Sequence, residues 1–222
     1  ERGTTAAQRS VKADLEHIAE AAEKAGLKTP AISVVGPVVG LKDTLSWFGR
    51  GILSGKRVLA TGTRAFVREM EEAFHPLGAE LVALSLIEVR PLWNERITEA
   101  LKQLGSYQWI VFTSPTGVEV FWSALRQHRV DVRSLSHLRI AVIGSGTARA
   151  LEAHGMYAEL MPEVYDGEHL GAALGEVLSD EHILIPRAKI GNPELIREIK
   201  KRSEAVIEDL PIYDTHYEAY EF

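Results

Sequence analysis

Four times in this chain an apolar run stops at a short loop of small and hydroxyl residues, and a helical pattern follows. Arg57-Val58-Leu59-Ala60 runs into Thr61-Gly62-Thr63, and Trp109-Ile110-Val111-Phe112 into Thr113-Ser114-Pro115-Thr116-Gly117. Ile140-Ala141-Val142-Ile143 runs into Gly144-Ser145-Gly146-Thr147, and His182-Ile183-Leu184-Ile185 into Pro186-Arg187-Ala188. Continuous β-rich runs mark parallel strands whose two faces are both covered by helices. Loops at the carboxyl ends of such strands lie where open α/β sheets bind ligands, and bare NH groups at helix starts favour anions. The repeated unit points to a binder of an acidic small molecule, with main chain supplying much of the binding.

The 222 residues are 45% hydrophobic and 25% charged, the profile of an ordinary globular protein with room for one large or two small domains. There is no Cys, which removes disulfides, thiolate chemistry and Cys-ligated metal and fits a reducing, cytoplasmic setting. No apolar stretch reaches the roughly 18 residues of a membrane span, and no signal peptide stands out. A net charge of -6 argues against nucleic acid as a partner. It also means that an anionic ligand must be held by local dipoles and a few basic side chains rather than by a global field. The chain starts at Glu1 without Met and stops at Phe222 in an acidic, aromatic stretch, so both ends read as cut.

Val11, Leu15, Ile18, Ala19 and Ala22 recur at helical spacing and predict a helix over 4–26, with Gly26 as its stop. A short strand is predicted over 31–36, a mixed apolar segment over 38–47, and a glycine-punctuated linker over 49–56. From Lys56 onward strands alternate with helices. Strands are predicted at 57–60, 80–89, 108–112, 139–143, 159–162, 182–186 and 205–212. Helices are predicted at 65–77, 94–104, 116–127, 147–154, 167–178 and 193–202. That alternation is the pattern of a parallel doubly wound sheet.

Gly144-Ser145-Gly146-Thr147-Ala148-Arg149 comes close to a dinucleotide fingerprint, but Arg149 stands where a third Gly is needed, and another unit precedes it. An anion-binding turn with Thr147 as N-cap is the better reading. Thr113 and Ser114 either cap the following helix or meet a ligand oxygen, and Ser114 lacks the flanking glycines of a nucleophile elbow. The eight His residues show no ligand spacing, so no metal site is expected. Glu16, Glu20 and Glu23, like Glu69, Glu71 and Glu72, read as solvated charged faces. Arg187 and Lys189, just past the fourth strand, are the basic groups best placed for a carboxylate, or else are loop charges. Tyr213 closes the last strand; its phenol either packs in the core or donates a proton or hydrogen bond in a cleft.

From Lys56 to Tyr217 the segments GKRVLATGTRA, LIEVRP, YQWIVFTSPTGVEVF, RIAVIGSGTARAL, HILIPRA and PIYDTHYE resemble, in order and spacing, uroporphyrinogen-III synthase of heme, siroheme and cobalamin synthesis. Residues 1–48, through GTTAAQRSVKADLEHIAEAA and PAISVVGPVVGLKDTLSWF, resemble instead the C-terminal end of uroporphyrinogen-III C-methyltransferase. The chain thus reads as a window across a bifunctional fusion. The resemblance implies two doubly wound α/β domains joined by a two-stranded ladder at 86–91 and 209–215, with substrate in the cleft between them. It assigns a methyltransferase tail to 1–50 and a linker to 51–56. A partial first synthase domain with its ladder takes 57–91 and 209–222, and a complete second domain takes 92–208. The rest of the first domain is expected beyond Phe222, and the chain alone is expected to be poorly active.

The implied reaction closes linear hydroxymethylbilane, supplied by an upstream hydroxymethylbilane synthase, to uroporphyrinogen III. Water leaves, ring D inverts through a spiro intermediate, and no cofactor or metal is used. The demand on the enzyme is positioning plus modest acid catalysis. Carried over position by position, Thr113 and Ser114 fall in one substrate loop and Gly144, Ser145, Gly146 and Thr147 in the next, with Arg187 beside them. Tyr213 matches the family tyrosine that assists departure of the hydroxyl. The chain has Gly62 where the family often has Arg, and Thr116 where it often has Asn. In the methyltransferase tail, Gly3, Thr4, Pro30 and Ala31 fall on one wall of the pocket for S-adenosylmethionine, the cofactor of that upstream enzyme. A non-catalytic α/β module for an acidic small molecule and a dinucleotide-binding enzyme using 144–149 are the competing readings.

Overall fold

A computed structural model describes residues 1–45 and 51–218. Its helices are α1 (Ile18–Lys24), α2 (Lys42–Leu45), α3 (Arg64–Phe74), α4 (Glu95–Lys102), α5 (Pro115–Gln127), α6 (Ser145–Glu152), α7 (Gly167–Val177) and α8 (Glu194–Arg202). Its strands are β1 (Arg57–Thr63), β2 (Glu80–Pro91), β3 (Trp109–Phe112), β4 (Arg139–Val142), β5 (His182–Ala188) and β6 (Val206–Tyr217). The chain divides into two units, Glu1–Glu88 with Tyr217–Phe222, and Val89–His216. It passes from the first to the second within β2 and returns within β6.

The second unit is a parallel sheet in the order β6-β5-β3-β4. Successive side chains along a strand point to opposite faces, and each face has its own core. Ile110, Phe112, Ile140, Val142 and Leu184 pack with Ile97 of α4, Val118 and Phe121 of α5, and Leu151 of α6. Trp109, Val111, Ala141, Ile183 and Ile185 pack with Leu170 and Leu174 of α7 and Leu195 and Ile199 of α8. Each large side chain so buried contributes about 1.5–3 kcal/mol of transfer free energy. The helices that follow the neighbouring strands β3 and β5 therefore lie on opposite faces. Such a reversal marks the carboxyl ends of β3 and β5 as the place where open α/β sheets receive ligands.

In the first unit β1 pairs with β2 in parallel, and the Thr63 hydroxyl caps α3 by accepting from the Phe66 NH. Gly78, at φ 84°, ends the turn after α3 in a left-handed conformation that suits glycine.

The alternation of strands and helices expected from Lys56 onward is observed, except that the strand at 159–162 is reduced to a single bridge between Leu160 and Ala141. The N-terminal expectations are corrected. The helix predicted over 4–26 shrinks to α1, which buries no residue. Among the described residues none of its apolar stripe is buried, and short helices draw their stability from packing. The strand predicted over 31–36 does not form; Ile32, Val34 and Val35 are exposed, and an extended segment without a paired neighbour has no ladder to join. The expected apolar segment 38–47 and linker 49–56 run in part through 46–50, outside the described residues. Among the described residues no helix is long and apolar enough to cross a membrane.

Candidate active site

Two helix starts meet at the carboxyl edge of the second unit. Ser114 leaves β3 in extended geometry and caps α5: its Oγ accepts from the Gly117 NH at 2.9 Å, and Pro115 takes the first helical position, where no NH is needed. A Cβ on Gly117 would stand 3.3 Å from the Pro186 carbonyl, so glycine lets the start of α5 lie close against β5. In the next loop the cap position falls on Gly144 rather than on Thr147, which is buried within the first turn of α6. Gly144 has an extended φ of -179° that any residue adopts; the ring of Tyr165 is what demands glycine, because a Cβ there would lie 2.7 Å from it. A Cβ on Gly146 would be 3.8 Å from the Pro115 ring, so the two loops are neighbours. The positive ends of α5 and α6 and their first-turn NH groups thus share one edge.

Tyr213 reaches this edge through a β-bulge. Arg187 stands opposite Pro211 in the β5–β6 ladder, but the next residue, Ala188, stands opposite Tyr213, so Ile212 is extra. Strict alternation would send Tyr213 to the face away from Leu210 and Ile212. The bulge gathers all three into the core that holds Phe112 and Val118. The phenol then lies 3.0 Å from Ser114 Oγ, joining residues 99 positions apart. The Lys189 NH donates to the Tyr213 carbonyl at 2.8 Å and fixes the strand beside it.

A parallel sheet with hydroxyl-rich helix starts and a strand-borne phenol still suits many enzymes. The family model for uroporphyrinogen-III synthase HemD matches residues 68–221. The chain belongs to the uroporphyrinogen-III synthase family. It is 33% identical over 219 residues to the porphyrin biosynthesis protein HemD of Ruminiclostridium josui, covering 98% of this chain and 43% of that protein. It is 25% identical over 165 residues to uroporphyrinogen-III synthase of Synechococcus elongatus, covering 73% of this chain and 62% of that one. A solved mutant uroporphyrinogen III synthase of Thermus thermophilus is similar in fold, with a TM-score of 0.52 at 15% identity, covering 73% of this chain and 64% of that one. The chain spans less than two thirds of the length of each of these proteins.

Among the residues expected at a synthase site, the fold brings together Thr113, Ser114, Gly144, Ser145, Gly146, Thr147 and Tyr213 within the second unit. Arg187 is a correction. It lies within β5 rather than past it and is buried. Its Nε and one terminal nitrogen each donate at 2.7 Å to the two Asp209 oxygens, and the other terminal nitrogen donates at 2.7 Å to the Asn192 carbonyl. A guanidinium so engaged ties β5 to β6 and offers no open fork to a substrate carboxylate. Lys189 is exposed and lies 3.3 Å from Asp214, and this neighbour holds the Asp214 carboxyl below its ordinary range. Gly3, Thr4, Pro30 and Ala31 are exposed in the first unit. Among the described residues no three His, Asp or Glu side chains gather to hold a metal ion.

Sequence reasoning missed two features of the edge. Tyr165 covers Gly144 and keeps about half of its surface exposed beside the 144–147 loop. The extra residue Ile212 turns Tyr213 toward Ser114. Neither leaves a local signal, because each exists only once distant strands and loops are assembled.

Proposed function

We propose that the protein acts as a uroporphyrinogen-III synthase, closing hydroxymethylbilane to uroporphyrinogen III with inversion of ring D. The observation that carries this reading is the Tyr213 phenol, 3.0 Å from Ser114 where the starts of α5 and α6 meet. The hydroxyls of Thr113 and Ser145 and the NH groups around Gly144 and Gly146 receive substrate carboxylates at the positive helix ends. Tyr213 gives its proton to the departing hydroxyl, the carbon–oxygen bond breaks and water leaves. Ring D captures the azafulvene cation through the spiro intermediate. The phenolate recovers the proton that the last pyrrole carbon releases, so no proton is consumed and no cofactor enters. The cation is reactive by itself, so holding the chain in a ring-closing shape carries most of the catalysis.

The same reading keeps the division into a partial first domain with ladder (57–91 and 209–222) and a second domain (92–208). It also keeps a cytoplasmic setting and an upstream hydroxymethylbilane synthase. Residues 1–48 are read as the tail of a uroporphyrinogen-III C-methyltransferase, with Gly3, Thr4, Pro30 and Ala31 toward S-adenosylmethionine. The exposed run of Ile32, Val34 and Val35, an edge that a larger domain would cover, supports this.

The test uses the full-length protein and freshly generated hydroxymethylbilane, with the isomers resolved by chromatography. Isomer III is expected in excess. Isomer I alone, the product of closure without inversion, overturns the reading and favours a module that only binds an acidic molecule. Titration with a nicotinamide dinucleotide is expected to show no binding, and titration with S-adenosylmethionine tests the tail.

A further inference from the structure

We propose that Ser114 is a positioning residue that holds the Tyr213 phenol and turns its proton toward the substrate. The inference rests on the reading of Tyr213 as the proton donor.

A serine hydroxyl has one hydrogen to give and two acceptor positions. One acceptor position of Ser114 is filled by the Gly117 NH at 2.9 Å, and the phenol lies 3.0 Å away. Either hydroxyl has the hydrogen for that second bond, and the surroundings decide which gives it. Gly117 NH belongs to the first turn of α5, the positive end of a helix of 13 residues. Accepting from it draws electron density from Oγ, which makes the serine a better donor and a poorer acceptor. Once a ligand oxygen accepts the phenolic hydrogen, the serine hydrogen goes to the phenolic oxygen. The chain of bonds runs one way, from Gly117 NH through Ser114 to Tyr213 and outward.

The rest of the surroundings hold that direction. Tyr213 is only 7% exposed, so its ring does not swing away. The bulge at Ile212 sets the side on which the ring emerges, and the Lys189 NH pins its carbonyl. Among the described residues Ser114 is the one side chain hydrogen-bonded to the phenol. When the proton passes to the substrate hydroxyl and the carbon–oxygen bond breaks, the phenolate keeps the serine bond until ring closure returns the proton.

The test compares variants in the full-length protein. Ser114→Gly removes the hydroxyl, yet glycine caps a helix almost as well as serine. Its turnover to isomer III is expected to fall about tenfold, a modest share of a proton-transfer effect, with KM within about twofold and melting temperature unchanged. Ser114→Thr is expected to restore most of the turnover. Ser114→Gly combined with Tyr213→Phe is expected to be no slower than Tyr213→Phe alone. Full turnover in Ser114→Gly overturns the proposal. So does a double variant whose loss is the product of the two single losses, because the two hydroxyls would then act separately. A raised KM with unchanged turnover also overturns it, leaving Ser114 as a substrate ligand. Full activity of Tyr213→Phe removes the underlying reading of the tyrosine itself, whatever Ser114→Gly does.

Discussion

Tyr213 and Arg187 sit on adjacent strands and end in different environments. The phenol of Tyr213 touches one hydroxyl and faces the edge where two helices begin. Replacing Tyr213 with Phe keeps the buried ring and removes the oxygen alone, so stability changes by no more than about 1 kcal/mol. Isomer III formation is expected to slow by about a hundredfold, the lower range for general acid catalysis. Single-turnover assays with resolved isomers check this, and an undiminished rate would remove the tyrosine from the chemistry. Arg187 makes three charge-assisted bonds inside the sheet. Arg187→Met keeps much of the apolar stem and leaves Asp209 without its partner. It is expected to lower stability by about 2–3 kcal/mol in urea unfolding while KM holds. A raised KM with unchanged stability would return Arg187 to the carboxylate-binding role that its place in the sequence implied.

Among the elements, α7 and α8 approach so closely that glycine is required between them. A Cβ on Gly171 would stand 2.7 Å from both the Leu195 carbonyl and the Glu198 Cβ. One on Gly175 would stand 2.6 Å from Arg202 Cβ. Alanine favours a helix over glycine by about 1 kcal/mol, yet overpacking a tight interface costs about 1–3 kcal/mol. The obstacle at Gly171 includes backbone, which has little room to yield. Gly171→Ala is therefore expected to lower the melting temperature by several degrees, and a rise would show that the helices separate freely. The same scale accounts for the site. Ser114 stands at the end of β3, Gly144 caps α6 and Tyr213 follows the bulge of β6, so three elements, each formed for its own local reasons, converge on one edge.

Across the whole molecule, several carboxylates are held below their ordinary range, all with the same sign. Bonds from Lys201 and then Arg202 bring Glu198 from 4.5 to about 2. The Arg133 side chain brings Asp131 from 3.8 to about 2. The Ala6 NH lowers Glu80 and the His169 NH lowers Asp166. A carboxylate whose folded value is depressed binds protons more readily when unfolded. Its stabilisation is complete above the unfolded value and is lost as pH falls toward the folded one. For Glu198 that window runs from 4.5 down to about 2. The urea midpoint is expected to be lower at pH 3 than at pH 5, and Glu198→Gln is expected to narrow the gap. Equal midpoints in the parent protein at the two pH values would contradict these linkages.

What the sequence by itself determined is local and periodic. Continuous apolar runs become buried strands because helices cover both faces. Helical spacing marks α3 to α8 to within about three residues at each end, and the loops left at strand ends put Thr113, Ser114 and the 144–147 turn beside the starts of α5 and α6. Tertiary structure decided what depends on distant partners. The helix expected over 4–26 fails for most of its length because, among the described residues, none of its apolar stripe is buried. Arg187 turns inward because Asp209 and the Asn192 carbonyl wait there. Tyr165 folds over Gly144, and one extra residue in β6 carries Tyr213 to Ser114 across 99 positions of chain. Period and propensity act over a few residues, whereas these contacts are set by strand order and register, which a single local stretch does not encode.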